Sequence, residues 1–360
     1  MKRIATTLLA LVMTMSLLSA CADATVSETI DTAQTAVDTA QTLVDTAETI
    51  ADDLTTTEPV TIQLNEVTHS VFYAPLYAAM ELGYFEEEGL TIELTNGGGA
   101  DNVMTAVITG GADIGLAGPE SCIYVVNEGL DDAPQIFAQL TKRDGAFIVG
   151  REDEEFSWEN LIGSTIIGGR AGGVPLMTLQ YVMTQNGVIP NVDAVVDSSV
   201  EFAMMAGAFT GGYGDYVALF EPTATTVELE GQGYVLTSIG QESGEIPYTA
   251  FFALTSYMDE NPDIIQAFTN AMARGQAWVQ TADVADIAAA VSKQFPDTDL
   301  DVLETVIQRH LDIDAWNQTP VMEESALRRL EDVMILAGEL DQSCNFDALV
   351  NNSFANNATW

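Results

Sequence analysis

The chain has 360 residues, 47% of them apolar, and sets 54 acidic side chains against 11 basic ones for a formal charge of −43. That acidic excess works against nucleic-acid binding, which depends on Lys and Arg neutralising phosphates, and reads most simply as a solubilising surface of one sign. No Asp-x-Asp-x-Asp-Gly loop points to calcium, and the two histidines, His69 and His310, have no Cys or His at metal-ligand spacing.

The amino terminus opens with Lys2 and Arg3, then an apolar run over residues 4–18, then Leu18-Ser19-Ala20-Cys21. A basic head, a short apolar core and small residues before a cleavage point predict a secretory signal over residues 1–20, too short for a membrane span. A cysteine directly after Leu-Ser-Ala makes it a bacterial lipoprotein signal, with Cys21 the lipidated first residue of the mature chain. Acyl chains would then hold a soluble domain at the outer face of the cell membrane. Residues 21–58 are an acidic, Thr/Ala-rich stalk, with a seven-residue repeat over 25–52 that would put one narrow apolar stripe on a helix. Its small side chains bury little area, so a marginal helix or flexible stalk and a coiled-coil dimer both stay open.

About 300 residues remain, enough for two cores. Thr61-Ile-Gln-Leu-Asn65 alternates as a strand, a loop carries His69, an apolar helix follows, and Leu90-Thr-Ile-Glu-Leu94 is the next strand. The loop leaving the first strand of such a β-loop-α-β unit opens at the sheet edge where α/β proteins place ligands. Gly97-Gly-Gly-Ala-Asp101 leads into another helix, and residues 110–118 give a strand ending in a second Gly-rich turn. Three loops should converge on one crevice. Residues 134–140 and 145–150 read as strands, with a crossing to a second lobe near Gly150. Residues 164–175 then give a strand, a Gly-rich turn and a helix to about Gln185. Further strands are expected over 192–196, 215–220 and 233–237, with a helix over 200–209 and a return crossing in 246–253. Helices are predicted over 262–281, 284–292, 299–310 and 322–338. Alternating βα units followed by helices imply α/β lobes with a helical carboxyl-terminal portion packed on the first lobe. The divisions are residues 59–150 with 251–360 for lobe 1 and 151–250 for lobe 2. Cys122, in an apolar helix start, reads as a buried free thiol, and a disulfide to Cys344 stays open.

Ala74-Pro-Leu-Tyr-Ala-Ala, Leu82-Gly-Tyr-Phe-Glu-Glu-Glu-Gly-Leu90, Gly111-Ala-Asp-Ile-Gly115, Ala218-Leu-Phe-Glu-Pro222 and Thr255-Ser-Tyr-Met-Asp-Glu-Asn-Pro262 occur in this order. With them the chain, over residues 60–354, resembles the extracytoplasmic substrate-binding proteins of ABC importers. It is most similar to the branch for nitrate, sulfonates, taurine and pyrimidine precursors of thiamine. The resemblance implies a class II periplasmic-binding-protein-like α/β fold of two lobes with a hinge. It also implies a monomer that binds a small flat or anionic solute and delivers it to a permease and its ATPase, with no cofactor and no catalysis. Two alternatives are an acidic surface sensor or adhesin and an enzyme like the fungal thiamine-pyrimidine synthases, which use a histidine, pyridoxal phosphate and iron. The Cys-rich iron motif of those enzymes is absent, and only Lys142 and Lys293 lie beyond the signal.

The candidate contacts follow from the loops. His69 offers a donor and an acceptor. Tyr73 stands nearer the mouth than Tyr77, one helical turn on, and could stack on a flat ligand. Gly98 and Ser121 mark the next two loops, Ser121 reading equally as a helix cap. Arg170, Gly172 and Gly173 form the second lobe's turn, where a guanidinium and helix-start amides suit an anion. Tyr216 and Tyr248 are aromatics for the other wall. Glu221 is the carboxylate the resemblance assigns to a pyrimidine's amino group, or else a structural partner of Arg170. The pyrimidine branch also carries a Trp and a Pro-Asn pair before the histidine, where this chain has Asn65-Glu-Val-Thr-His69. Arg170 and Glu221 imply opposite ligand charges.

Overall fold

A computed structural model describes residues 34, 35, 37–42 and 59–360. The signal segment, Cys21 and most of the heptad segment lie outside the described residues. Residues 34, 35 and 37–42 are helical and, apart from Ala40, exposed.

The described strands are β1 (Val60–Glu66), β2 (Leu90–Asn96), β3 (Ile114–Ala117), β4 (Pro134–Thr141), β5 (Ala146–Gly150), β6 (Thr165–Ile167), β7 (Val195–Asp197), β8 (Tyr216–Phe220), β9 (Tyr234–Ser238) and β10 (Thr249–Leu254). They build two five-stranded sheets of the same design, ordered β2-β1-β3-β10-β4 and β7-β6-β8-β5-β9. The first three strands of each are parallel, and the fourth runs antiparallel to both neighbours. That fourth strand always arrives from the other sheet: β5 enters from the first and β10 returns from the second.

Alternation fixes the faces. In β1 it buries Ile62, Leu64 and Glu66 on one side. Strands covered on both faces read instead as unbroken apolar runs, as in Ala146-Phe-Ile-Val-Gly150. There Ile148 joins a core with Ile166 and Leu179, while Val149 faces the opposite core with Ile167, Phe209 and Val217. The first sheet shares one large core with the carboxyl-terminal helices. Phe268, on the helix Pro262–Val279, meets Phe85, Phe137 and Phe251 at ring-centroid distances of 5.1, 5.8 and 5.0 Å. The helices Val284–Val291, Leu300–Asp312 and Glu324–Ala337 follow within about two residues of the expected spans.

The crossings differ from expectation. β5 pairs with β8 and β9, so the chain leaves the first sheet after Thr141 and enters the second at Ala146 rather than at Gly150. The return runs through residues 239–248, which places β10 in the first sheet from Thr249. The two crossings lie side by side. Ile246 N–H donates to the Lys142 carbonyl at 2.9 Å, and the Thr141 and Thr249 hydroxyls share a 2.6 Å hydrogen bond. Cys122 is buried, Cys344 is partly buried, and both are free thiols. Among the described residues no helix is long and apolar enough to cross a membrane, and no cluster of three or more His, Cys, Asp or Glu could hold a metal ion.

Candidate functional site

The loops leaving β1, β2 and β3 on one side, and those leaving β6 and β7, with the end of β8 and the return crossing, on the other, enclose a cleft of about 490 Å³. That volume suits a small organic ligand with most of its surface covered. Its walls combine aromatic side chains, Tyr73, Phe202, Phe220 and Tyr248, with the charged side chains of Asp101, Glu120, Arg170 and Glu201.

Three helices begin at this cleft: Ala100–Ile108, Glu120–Asn127 and Val174–Gln185. Their N-cap residues are Gly99, Pro119 and Gly173, none of which caps its helix with its own side chain, while the Glu120 carboxyl faces the first amides of the second and third helices. The first amides of a helix have no intrahelical acceptor and carry partial positive charge, so three helix starts on one cavity favour negative charge there, part of which Glu120 supplies. Arg170 adds a full positive charge at the same place. Its Nη1 meets Asp101 Oδ1 at 2.8 Å across the cleft, and both side chains are at least half exposed. A pair so wet contributes at most about 1 kcal/mol, so the guanidinium is cheaply released to another anion.

The sequence-predicted contacts divide. Tyr73, Gly98, Arg170, Gly173 and Tyr248 line the cleft. Gly172 lies one residue off the wall, and its carbonyl accepts the Tyr124 hydroxyl at 2.9 Å, tying the turn to the opposite side. Ser121 is buried and does not line the cleft: its hydroxyl donates to the Gly118 carbonyl at 2.7 Å, in the same turn.

His69, Tyr216 and Glu221 are placed away from the cleft, each for a local reason. The His69 ring stands between two acceptors, Glu66 Oε1 at 2.7 Å through Nδ1 and the Gln294 carbonyl at 2.8 Å through Nε2, and stacks on Phe295 at 4.7 Å. Two acceptors call for two ring N–H donors, and the hydrogen bond to Glu66 holds the imidazole pKa above its usual value against the opposing effect of burial. The Tyr77 hydroxyl donates to the other Glu66 oxygen at 2.7 Å, so Tyr77 belongs to this polar knot in the core. Tyr216 donates to Glu154 at 2.7 Å within the second sheet's own layer. Glu221 is almost wholly buried and fully engaged. It accepts from Thr225 N–H at 2.9 Å, from the Thr225 hydroxyl at 2.9 Å and from Arg309 at 2.9 Å. Its cation is Arg309, not Arg170, and it does not line the cleft.

Sequence reasoning passed over Glu120. This carboxylate lines the cleft at 4% exposure, with Oε2 lacking any hydrogen-bond partner. It lies across Gly118, where an added Cβ would stand 1.9 Å from Oε2, so only glycine leaves room for it. Burial pushes the Glu120 carboxyl up to about 7, against the backbone N–H groups of Glu120, Val174 and Ser121 and the charge of Arg170. Deeper in, beside the crossing, Asp144 is raised to about 8 by burial. Asp144 Oδ2 and the neighbouring Tyr248 hydroxyl lie close without the geometry of a hydrogen bond, leaving both unpaired. A glutamate at a helix start ordinarily faces solvent, so nothing in the string Gly118-Pro-Glu-Ser121 signals this burial.

Residues 71–282 match the family model described as NMT1/THI5 like. YtlA of Bacillus subtilis (strain 168), whose name describes a candidate binding protein, is 42% identical over 299 residues, covering 83% of this chain and 90% of that one. Two solved structures share the fold. One is the ligand-binding component of an ABC-type import system from Staphylococcus aureus, with zinc bound (TM-score 0.68, 15% identity, 83% of this chain and 99% of that one). The other is the alkanesulfonate-binding protein SsuA from Xanthomonas axonopodis pv. citri, bound to MOPS (TM-score 0.66, 16% identity, 82% and 99%). The architecture is that of the bilobed periplasmic-binding-protein α/β fold, and the chain belongs to the NMT1/THI5-like family.

Proposed function

We propose that the protein is the extracytoplasmic solute receptor of an ABC importer, a monomer that takes up a small anionic solute in the cleft and presents it to a permease with its ATPase. The observation that carries this reading is the convergence of three helix starts and Arg170 on one cavity. Its aromatic walls suit an anion attached to an apolar or flat body. A pyrimidine base is the weaker assignment, because Glu221, the carboxylate it would need, is committed to Arg309 and Thr225.

The two sheets and their layers act as the two lobes, hinged at residues 142–145 and 239–248. Ligand contacts from both sides would favour the closed arrangement. In this reading Cys21 carries the lipid that tethers the receptor to the outer face of the cell membrane, and the acidic segment to residue 58 supplies reach. Cleft residues serve binding rather than catalysis. The relative's description as a binding protein and the shared fold with importer components support this role.

The test is a thermal-shift panel on the full chain with propane-1-sulfonate, taurine, nitrate, an aminopyrimidine, thiamine and riboflavin. A ligand at about a hundredfold excess over its dissociation constant adds about 2.7 kcal/mol, which raises the midpoint by a few degrees for a domain of this size. The reading expects the rise from an anion. A rise confined to neutral or cationic solutes overturns the ligand class.

A further inference from the structure

An anion receptor with a buried carboxylate in its own cleft needs an account. Glu120 stands between two of the three helix starts, on the wall shared with Arg170 and Val174, with one oxygen unpaired and sealed from bulk water. Two oxyanions in such a space repel strongly, and one of them must be neutralised for both to stay. We propose that Glu120 is a ligand-contact residue that meets the bound oxyanion as a neutral carboxyl, donating its carboxyl proton in a hydrogen bond to it, so that each anion enters the cleft together with one proton. The proposal rests on the anion reading above and deepens it. The proton comes from solvent onto the Glu120 carboxyl, and no bond of the ligand changes.

The charged and titratable groups around Glu120 are Arg170 and, through their electrostatic effect, Tyr73, Cys122, Tyr124 and Tyr248. The guanidinium is charged at any pH of interest. The three tyrosines and the thiol are all pushed up from their ordinary values by burial, so they stay neutral near pH 7. Glu120, held at about 7, is the group of this set that changes charge in the neutral range. Asp144 lies beyond Tyr248 and does not line the cleft. A neutral carboxyl beside an oxyanion also supplies a donor, and O–H to O⁻ hydrogen bonds are among the stronger ones. The site therefore selects ligands whose oxygens accept and carry no proton of their own, such as a sulfonate.

The test is calorimetric titration of the full chain with propane-1-sulfonate, itself ionised throughout, in two buffers of different ionisation enthalpy. At about pH 8.5 the expected uptake approaches one proton per ligand, and affinity is about thirtyfold weaker than at about pH 5.5. Glu120→Gln, whose amide donates at every pH, should abolish both the proton uptake and the pH dependence. Asp144→Asn should keep both. Proton uptake is read on the unaltered protein, so a poorly folding variant does not decide the matter. Binding with no proton uptake and flat affinity overturns the role of Glu120 while the receptor reading stands. Failure of both propane-1-sulfonate and nitrate to bind at about pH 5.5, with or without capture of an amine that Glu120→Gln loses, overturns the anion reading and this proposal with it.

Discussion

At the scale of single residues, a charged side chain in this protein is defined by what reaches it from distant parts of the chain. His69 was legible as a crevice-loop histidine. Besides the local Glu66, its partners Gln294 and Phe295 lie more than two hundred positions away, and no local pattern announces them. The same holds for Glu221, whose cation sits on the helix Leu300–Asp312. Arg170 was legible, because a lone guanidinium in a Gly-rich turn has little packing role. The His69 knot has a testable signature. A folded-state pKa raised above the unfolded value gives stability that is fully present below about pH 6.5 and is lost as pH rises through the folded value. His69→Ala should therefore cost about 1 kcal/mol or somewhat more at pH 5.5, in the range of charge-assisted hydrogen bonds discounted for partial exposure. It should cost less at pH 8.5, as read by denaturant melts at the two values. An equal cost at both would remove the imidazolium from the account.

Among elements, the parallel units were legible because strand and helix periods differ plainly, and because a Gly-rich turn separates each pair. Where the chain changes sheets was not. Residues 145–150 are an apolar run that satisfies a buried strand in either sheet, and pairing with β8 and β9 rather than β4 is decided only by tertiary contact. The expected strand over 192–196 shows the opposite failure. Asn191 adopts φ 61° and Val192 is 78% exposed, so a turn takes the first residues and pairing begins at Val195. Packing between helices supplies the sharpest element-scale prediction. Gly275, within Pro262–Val279, faces the helix Ala74–Glu81, where an added Cβ would stand 2.4 Å from the Pro75 carbonyl oxygen. Alanine gains about 1 kcal/mol of helix propensity there. Forcing two backbones apart costs about 1–3 kcal/mol, and the obstacle is a carbonyl rather than a flexible tip. Gly275→Ala should be net destabilising by up to about 2 kcal/mol in chemical denaturation; a stabilised variant would show that the helices separate freely.

For the whole molecule, the two sheets are joined by polar ties as well as by the crossings. Arg309 reaches from the carboxyl-terminal helices to Glu221 and Glu228 beside the second sheet, Arg329 donates to the Glu245 carbonyl, and Ser70 donates to the Glu221 carbonyl at 2.8 Å. Most of these charges are partly exposed and worth little singly. The exception is Glu221, whose side chain is 0% exposed. Removing Arg309 leaves that carboxylate buried with only Thr225 as donor, so Arg309→Met should destabilise by about 3 kcal/mol, the low end for breaking a buried pair. Thermal unfolding would read this, and a shift within error would mean that the two Thr225 hydrogen bonds carry Glu221 unaided.

The central claim is that the cleft between the sheets holds an anion at three helix starts and Arg170. Its most direct test is calorimetric titration of the full chain and of Arg170→Ala with propane-1-sulfonate at about pH 5.5. The account predicts binding to the unaltered protein and a roughly ten- to hundredfold loss in the variant, as for removal of a charge-assisted hydrogen bond. Equal affinity in the two proteins, or no binding by an anion to either, would contradict it.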